Sequence, residues 1–136
     1  MLGRKTYEQQ YIDASRKAFN AETAAYRKLA ATGDPKAVAK FEPTYCAHQV
    51  LALDAYFAHR LRGVEGNDGN PCNEVRVIAC SWMENGGVMT KDSQIKLDPA
   101  KSITGLEVGD KIVLDEKTLA KLAKAYFAEI DARFGE

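Results

Sequence analysis

No stretch of the 136-residue chain approaches the run of about 18 apolar residues that a membrane-crossing helix needs. The first residues, MLGRKTYEQQY, lack the apolar core of a secretory signal. These absences predict a soluble, cytoplasmic chain that engages no membrane. Net charge is missing too, since 19 Lys and Arg balance 19 Asp and Glu. A neutral chain has no global field to gather nucleic acid or highly charged substrates, and it shows no basic patch interleaved with aromatics. Nucleic acid is therefore not an expected partner. Cysteine is scarce: Cys46, Cys72 and Cys80 are odd in number, form no Cys-x-x-Cys pair and fall in predicted helices. Reduced, packed thiols are expected.

The familiar catalytic signatures are absent as well. No Gly-x-Ser-x-Gly surrounds Ser15, Ser81, Ser93 or Ser102, and neither a P-loop nor a Gly-x-Gly-x-x-Gly occurs. Di-iron bundles need Glu-x-x-His on two helices, and the chain has none. The two histidines, His48 and His59, are eleven residues apart. On one continuous helix that spacing separates them by about 16 Å along the axis. A single ion with ligand bonds of about 2 Å cannot take both. Asn67-Asp68-Gly69-Asn70 resembles an acidic calcium loop, but the twelfth position counted from Asp68 is Ala79 rather than Glu. No metal or cofactor is implied. The one metal arrangement left open is a site of Glu22, Asp54 and a carbonyl or water.

What is present is helical periodicity, enough for a single domain over 1–136. From about Thr6 to Ala31, Tyr7, Tyr11, Ala18, Phe19, Ala25, Tyr26 and Leu29 share one stripe. Thr32-Gly33 should end that helix, with Gly33 left-handed, and Asp34-Pro35 restarts one as N-cap and N1. Pro43 removes a backbone donor and predicts a break, so a short helix over 35–41 should precede a central helix over 43–62. Asn70-Pro71 opens the next helix, to about Glu84, with Cys72, Val75, Ile78, Ala79, Trp82 and Met83 inward and Asn85-Gly86-Gly87 as the stop. Between Val88 and Leu114, Ile95 and Leu97 alternate with polar residues and Lys111-Ile-Val-Leu114 is β-rich, which predicts a two-stranded ribbon. Asp115 caps a last helix to about Phe134. The expected fold is mainly α: a bundle of about four main helices with a small β-ribbon inserted before the last one.

The central stretch is apolar almost all round. With Val50 at 0° on a helical wheel, Cys46, Leu53, Phe57 and Leu61 lie within about 60° of it, and Asp54 falls among them at about 40°. A lone ionised carboxylate there costs several kcal/mol, so it must be paired, hydrogen-bonded or protonated. Arg76, at the edge of the following helix's stripe, is the first candidate partner. The sharper alternative places Asp54 in a ligand pocket, and Glu22, on the apolar stripe of the first helix, favours that reading. A second candidate cluster is His59, Arg60, Arg62, Asn70 and Asn73, around the loop, where the N-terminus of the Asn70-capped helix could bind an anion. The histidine side of the central helix carries Ala52, Ala55 and Arg62, with Tyr45 and Tyr56 nearby; a helix apolar on both sides should have this second face covered by a partner subunit or the ribbon.

The string Leu51 to Val75, LALDAYFAHRLRGVEGNDGNPCNEV, is similar to a family of small uncharacterised proteins, mainly actinobacterial. The matching positions are Leu53, Asp54, Tyr56, Phe57, His59 and Arg60, then Gly66, Asp68, Gly69, Asn70, Pro71, Asn73 and Glu74. Asn85-Gly86-Gly87-Val88 and Gly109-Asp110 also fit the pattern. The resemblance covers most of the chain beyond residue 40 and implies no reaction, cofactor or partner. The leading expectation is a non-enzymatic helical protein that self-associates, as a homodimer, and serves as a binding or interaction module. The rival is a small-molecule, anion or metal-binding protein, or an enzyme, with a pocket around Asp54.

Overall fold

The computed structural model describes residues 3–136. Five helices follow one another: α1 Gln9–Thr32, α2 Pro35–Tyr56, α3 Arg62–Glu65, α4 Pro71–Glu84 and α5 Glu116–Phe134. The four long ones share one core. Phe57, Leu53, Val50 and Cys46 from α2 and its end meet Val75 and Ile78 of α4 and Leu122, Tyr126 and Ile130 of α5, with Ile12 and Phe19 supplied by α1. None of the described helices is long and apolar enough to cross a membrane.

The caps follow the local chemistry. Asp34 accepts from the Ala37 amide, Asn70 from the Cys72 and Asn73 amides, and Asp115 from the Thr118 amide, each satisfying otherwise orphaned donors. At the other end of α4, Gly86 turns left-handed at φ 62° and the Gly87 amide reaches back to the Ser81 carbonyl at 3.2 Å. Gly33 closes α1 differently from expectation. Its backbone is extended (φ −81°, ψ 173°), and its amide bonds the Leu29 carbonyl at 2.9 Å.

Three expectations are corrected. Pro43 does not break the chain, because α2 runs through it. The residue four before it, Ala39, is exposed, so its freed carbonyl can meet water. Stacking of Tyr26 on Tyr45, with centroids 3.8 Å apart, fixes the following turn against α1. Such packing offsets the roughly 3 kcal/mol penalty of an interior proline. The central helix also stops at Tyr56, six residues short of the expected Arg62. The backbone of Arg60 pairs instead with Arg4: the Arg4 amide donates to the His59 carbonyl at 2.6 Å and the Leu61 amide to the Arg4 carbonyl at 2.9 Å. The eleven-residue helical separation of the histidines therefore does not exist, although both are exposed.

The third correction is the ribbon. Among the described residues there is no sheet, and between Val88 and Lys111 only a single antiparallel bridge forms. Residues 88–115 make a long loop whose polar backbone is satisfied by side chains. Asp92 caps the Gln94 amide, Asp98 the Ala100 amide and Asp110 the Glu107 amide. Asx turns of this kind compete with a strand ladder wherever aspartates recur. Ile95 and Ile112 still bury, which is why the apolar alternation was visible.

Helices α1 and α4 also depart from expectation. α1 begins at Gln9 rather than Thr6, because the Tyr7 amide is taken by the Phe134 carbonyl at 2.7 Å. Leu29 and Ala25, expected inside, are exposed, and on α4 Trp82 is half-buried while Met83 is 69% exposed.

Candidate functional site

The residues singled out in the sequence fall into one buried network, one neighbouring surface cleft and two outliers. The network starts where α2 ends. Arg60 folds its guanidinium back under the helix, so that Nη1 donates to the Phe57 carbonyl at 3.1 Å and Nη2 to the Cys72 carbonyl at 3.3 Å. The Phe57 carbonyl, at the C-cap of α2, also accepts from the Arg60 amide at 3.1 Å. The guanidinium also sits 5.6 Å from the centre of the Tyr126 ring, whose hydroxyl donates to the Leu53 carbonyl at 2.9 Å.

A fully buried cation needs a buried anion. It is Glu65, on the single turn of α3. Arg60 and Glu65 have side chains 0% and 1% exposed, and Arg60 Nε lies 2.6 Å from Glu65 Oε1. The Glu65 carboxylate also accepts from Arg76 Nη2 at 2.7 Å and from Asn73 Nδ2 at 2.7 Å. Burial alone pushes the Glu65 carboxyl up, but the Arg76 hydrogen bonds, the Arg60 and Arg76 charges and the Asn73 amide outweigh it and hold the group below its ordinary value. Both oxygens are engaged, so Glu65 is a structural anchor with no free lone pair turned to solvent. Asn70 and Asn73 complete the cage. Asn70 caps α4 with its oxygen while its amide donates to the Glu65 carbonyl at 2.8 Å, and Asn73 Oδ1 accepts from the Gly69 amide at 2.9 Å. The first amides of α4, those of Cys72 and Asn73, are thereby capped by the chain's own groups.

Asp54 is paired, but with Arg60 rather than with Arg76: Arg60 Nη2 lies 2.8 Å from Asp54 Oδ1. The expected partner fails because α2 ends early, which brings Arg60 back beneath the carboxylate, while Arg76 turns to Glu65. Asp54 is also less enclosed than its wheel position implied, with a side chain 32% exposed. Its second oxygen has no hydrogen-bond partner among the described residues. Glu22 is not in the core either. It lies on the surface, accepting from Gln49 Nε2 at 3.0 Å, on a different face from Asp54, so the two carboxylates share no site. His59 is exposed and contributes only its carbonyl.

Three of the expected residues do meet at the surface. Asp54, Arg62 and Arg76 border a cleft of about 320 Å³, floored by Leu51, Ala79 and Met83 and closed by Cys80, Glu84 and Asp92. Arg62 pairs with Asp92 at 3.3 Å. Cys80 donates its thiol to Glu84 at 3.1 Å, and that bond raises the thiol's pKa, with burial adding to it. Cys46 and Cys72 are buried and are pushed up to about 12 by burial. All three cysteines are free. Among the described residues, no group of three or more His, Cys, Asp and Glu side chains is arranged to hold a metal ion.

Sequence reasoning missed Glu65 and the loop contacts of Glu74. Both are buried carboxylates. Glu74, in the first turn of α4, reaches out to the long loop and accepts from the Ile103 and Thr104 amides at 2.9 and 2.8 Å and from the Thr104 hydroxyl at 2.6 Å. A signal for Glu65 was available in the charge count: Arg60, Arg62 and Arg76 converge on the 63–69 loop, and Asp54 alone cannot neutralise them. No protein family, curated protein or solved structure matches the chain.

Proposed function

We propose that this protein is a self-associating interaction module, a homodimer that works in the reducing cytoplasm, and that it belongs to the small, mainly actinobacterial family its sequence resembles. One observation carries the reading. The outward face of α2 is uncharged over three turns. From Pro43 to Leu53 there is no Lys, Arg, Asp or Glu. Phe41, Thr44, His48 and Ala55 lie exposed on that face, and Leu51 and Ala52 are half-exposed. α4 extends the patch, because His48 packs edge-on against Trp82 at 5.9 Å and Met83 stands open beside Leu51.

An ordinary solvent-facing helix carries charge there. A second copy is the partner this surface fits. The chain is neutral overall, so two copies do not repel, and small Ala52 and Ala55 allow two α2 helices to cross closely about a twofold axis. An exposed, free Cys80 beside the patch fits a reducing compartment. The test is sedimentation equilibrium at micromolar concentration. Twice the chain mass is expected, falling to a monomer in the surface double variant Ala55→Glu/Met83→Glu with its helical signal intact. A parent protein that stays monomeric at 100 micromolar refutes the reading.

A second reading rests on the neighbouring cleft, where Asp54 keeps one free oxygen beside Arg62 and Arg76. Such a mixed lining suits a small zwitterion. Saturable stabilisation by amino acids in a thermal-shift screen, lost in Asp54→Asn without loss of fold, supports it; no shift with any of them removes it.

A further inference from the structure

The long loop 88–115 does more than connect α4 to α5. It is pinned at its neck, midway and at its far bend, and Met89, Ile95 and Ile112 bury along it. At its neck the Met89 amide donates to the Asp110 carbonyl at 2.8 Å and the Gly109 amide to the Met89 carbonyl at 2.9 Å. Midway, the Lys96 amide donates to the Asn67 carbonyl at 2.9 Å. At its far bend, Ile103 and Thr104 are held by the Glu74 carboxylate. Side-chain caps and distant anchors thus hold the loop as an arch, with no strand pairing to collapse it onto α4.

Under the arch lies a cavity of about 470 Å³. Its inner wall is apolar: Val77 of α4 with Met89, Ile95, Leu97 and Leu106 of the loop, and exposed Val108 at the lip. Its rim carries Lys91, Asp92, Ser93 and Lys96. The charges on that rim are not balanced. Asp92 is already committed, accepting from the Gln94 amide at 2.9 Å and from Arg62 at 3.3 Å, and its carboxyl is held below the ordinary range by those two contacts against a smaller desolvation effect. Lys91 and Lys96 have no carboxylate partner among the described residues and are exposed.

An apolar chamber within the usual 300–1,000 Å³ range, with two free ammonium groups at its mouth, is complementary to one class of molecule. From this we infer that the cavity binds a small amphiphilic monocarboxylate, with its hydrocarbon body on Leu97, Leu106 and Val108 and its head between Lys91 and Lys96. The site is separate from the α2–α4 surface and does not depend on self-association.

Sodium decanoate, below its micelle concentration, is the probe, titrated calorimetrically and by amide chemical shifts. One decanoate per chain is expected, with shifts confined to residues 77 and 89–108. Butyrate, which has the head without the body, and decanol, which has the body without the head, should bind more weakly. The surface variant Lys91→Gln/Lys96→Gln should weaken decanoate about threefold to tenfold, as two exposed ion contacts allow, and leave decanol unchanged. Val108→Asp, also on the surface, should weaken decanoate through repulsion. The inference fails if decanoate does not saturate, if its shifts fall on the α2–α4 face, or if the double lysine variant binds decanoate as tightly as the parent.

Discussion

Replacing Glu65 by alanine should destabilise this protein more than any change at the carboxylate that first drew attention, Asp54. Glu65 is the only fully buried anion against Arg60, whose own side chain is fully buried. Removing it leaves that guanidinium with Asp54 and backbone carbonyls, and leaves the Asn73 amide without its 2.7 Å partner. Arg76, at 22% exposed, can turn to water and adds little. Breaking one side of a buried ion pair costs about 3–5 kcal/mol. An unfolding entropy of about 2.1 cal/mol/K per residue converts that cost into a fall in Tm of roughly 10–17 °C for a chain of this length. Asp54 is a third exposed and engages Arg60 through one oxygen, so Asp54→Ala should cost about 1 kcal/mol or less, or some 3 °C. Scanning calorimetry and urea denaturation with an unchanged m-value measure both. The double variant Arg60→Met/Glu65→Leu, which removes both charges, should be more stable than Glu65→Ala. The pH dependence has a fixed sign. The folded-state pKa of Glu65 is lowered from 4.5, so its contribution is complete above that value and is lost as pH falls below it towards the folded pKa. Glu65→Gln should therefore flatten the acid limb of the stability curve below pH 4.5. If Glu65→Ala costs less than Asp54→Ala, the assignment of Glu65 as the central anion is wrong.

Gly69→Ala should cost about 2 kcal/mol in the same denaturation assay: Gly69 has φ +87°, and a Cβ there would lie 2.5 Å from the Lys96 carbonyl oxygen, where backbone cannot yield. Gly109, also at positive φ but with open space around it, should tolerate alanine better by the margin of the clash, which separates steric crowding from backbone strain. Cys80 should alkylate slowly with iodoacetamide at pH 8 because its hydrogen bond to Glu84 raises the thiol pKa; Glu84→Gln removes that charge and should accelerate the reaction severalfold, while unchanged rates would show that the bond does not form in solution.

Local signals were legible in the sequence, and longer-range ones were not. Asp34, Asn70 and Asp115 were readable as caps because an N-cap needs only its own side chain and the next three amides. The stripe of α5 was readable because its buried positions, Leu119 to Phe134, all face one core. Pro43 misled because the packing that carries the helix past it comes from Tyr26, seventeen residues earlier. The end of α2 misled because it is set by Arg4, which no periodicity within 43–62 can reveal. The ribbon misled because alternation of Ile95 and Leu97 reports burial, not pairing, and aspartate caps took the backbone groups a ladder needs. At the candidate site, the wheel gave Asp54 a direction within α2 but not its partner, because Arg60 lies beyond the helix end and folds back beneath it.

The arrangement around Arg60 has a consequence for how the chain closes on itself. Arg60 is bonded to the end of α2, to the first turn of α4 through the Cys72 carbonyl and to α3 through Glu65, and its backbone pairs with the N-terminal segment at Arg4. Arg133 of α5 donates to the Glu65 carbonyl at 3.0 Å, so the last helix joins the same cluster. Five separate parts of the chain therefore converge on one ion pair. Arg60, Glu65, Asn70, Asn73 and Glu74 are consumed in holding the fold. The surfaces these networks leave over are the uncharged face of α2 with Met83, the cleft beside Asp54, and the long loop, whose Lys91 and Lys96 have no carboxylate partner among the described residues. A protein organised in this way should lose its fold when Arg60 or Glu65 changes, and keep it when Met83 or Lys91 and Lys96 change.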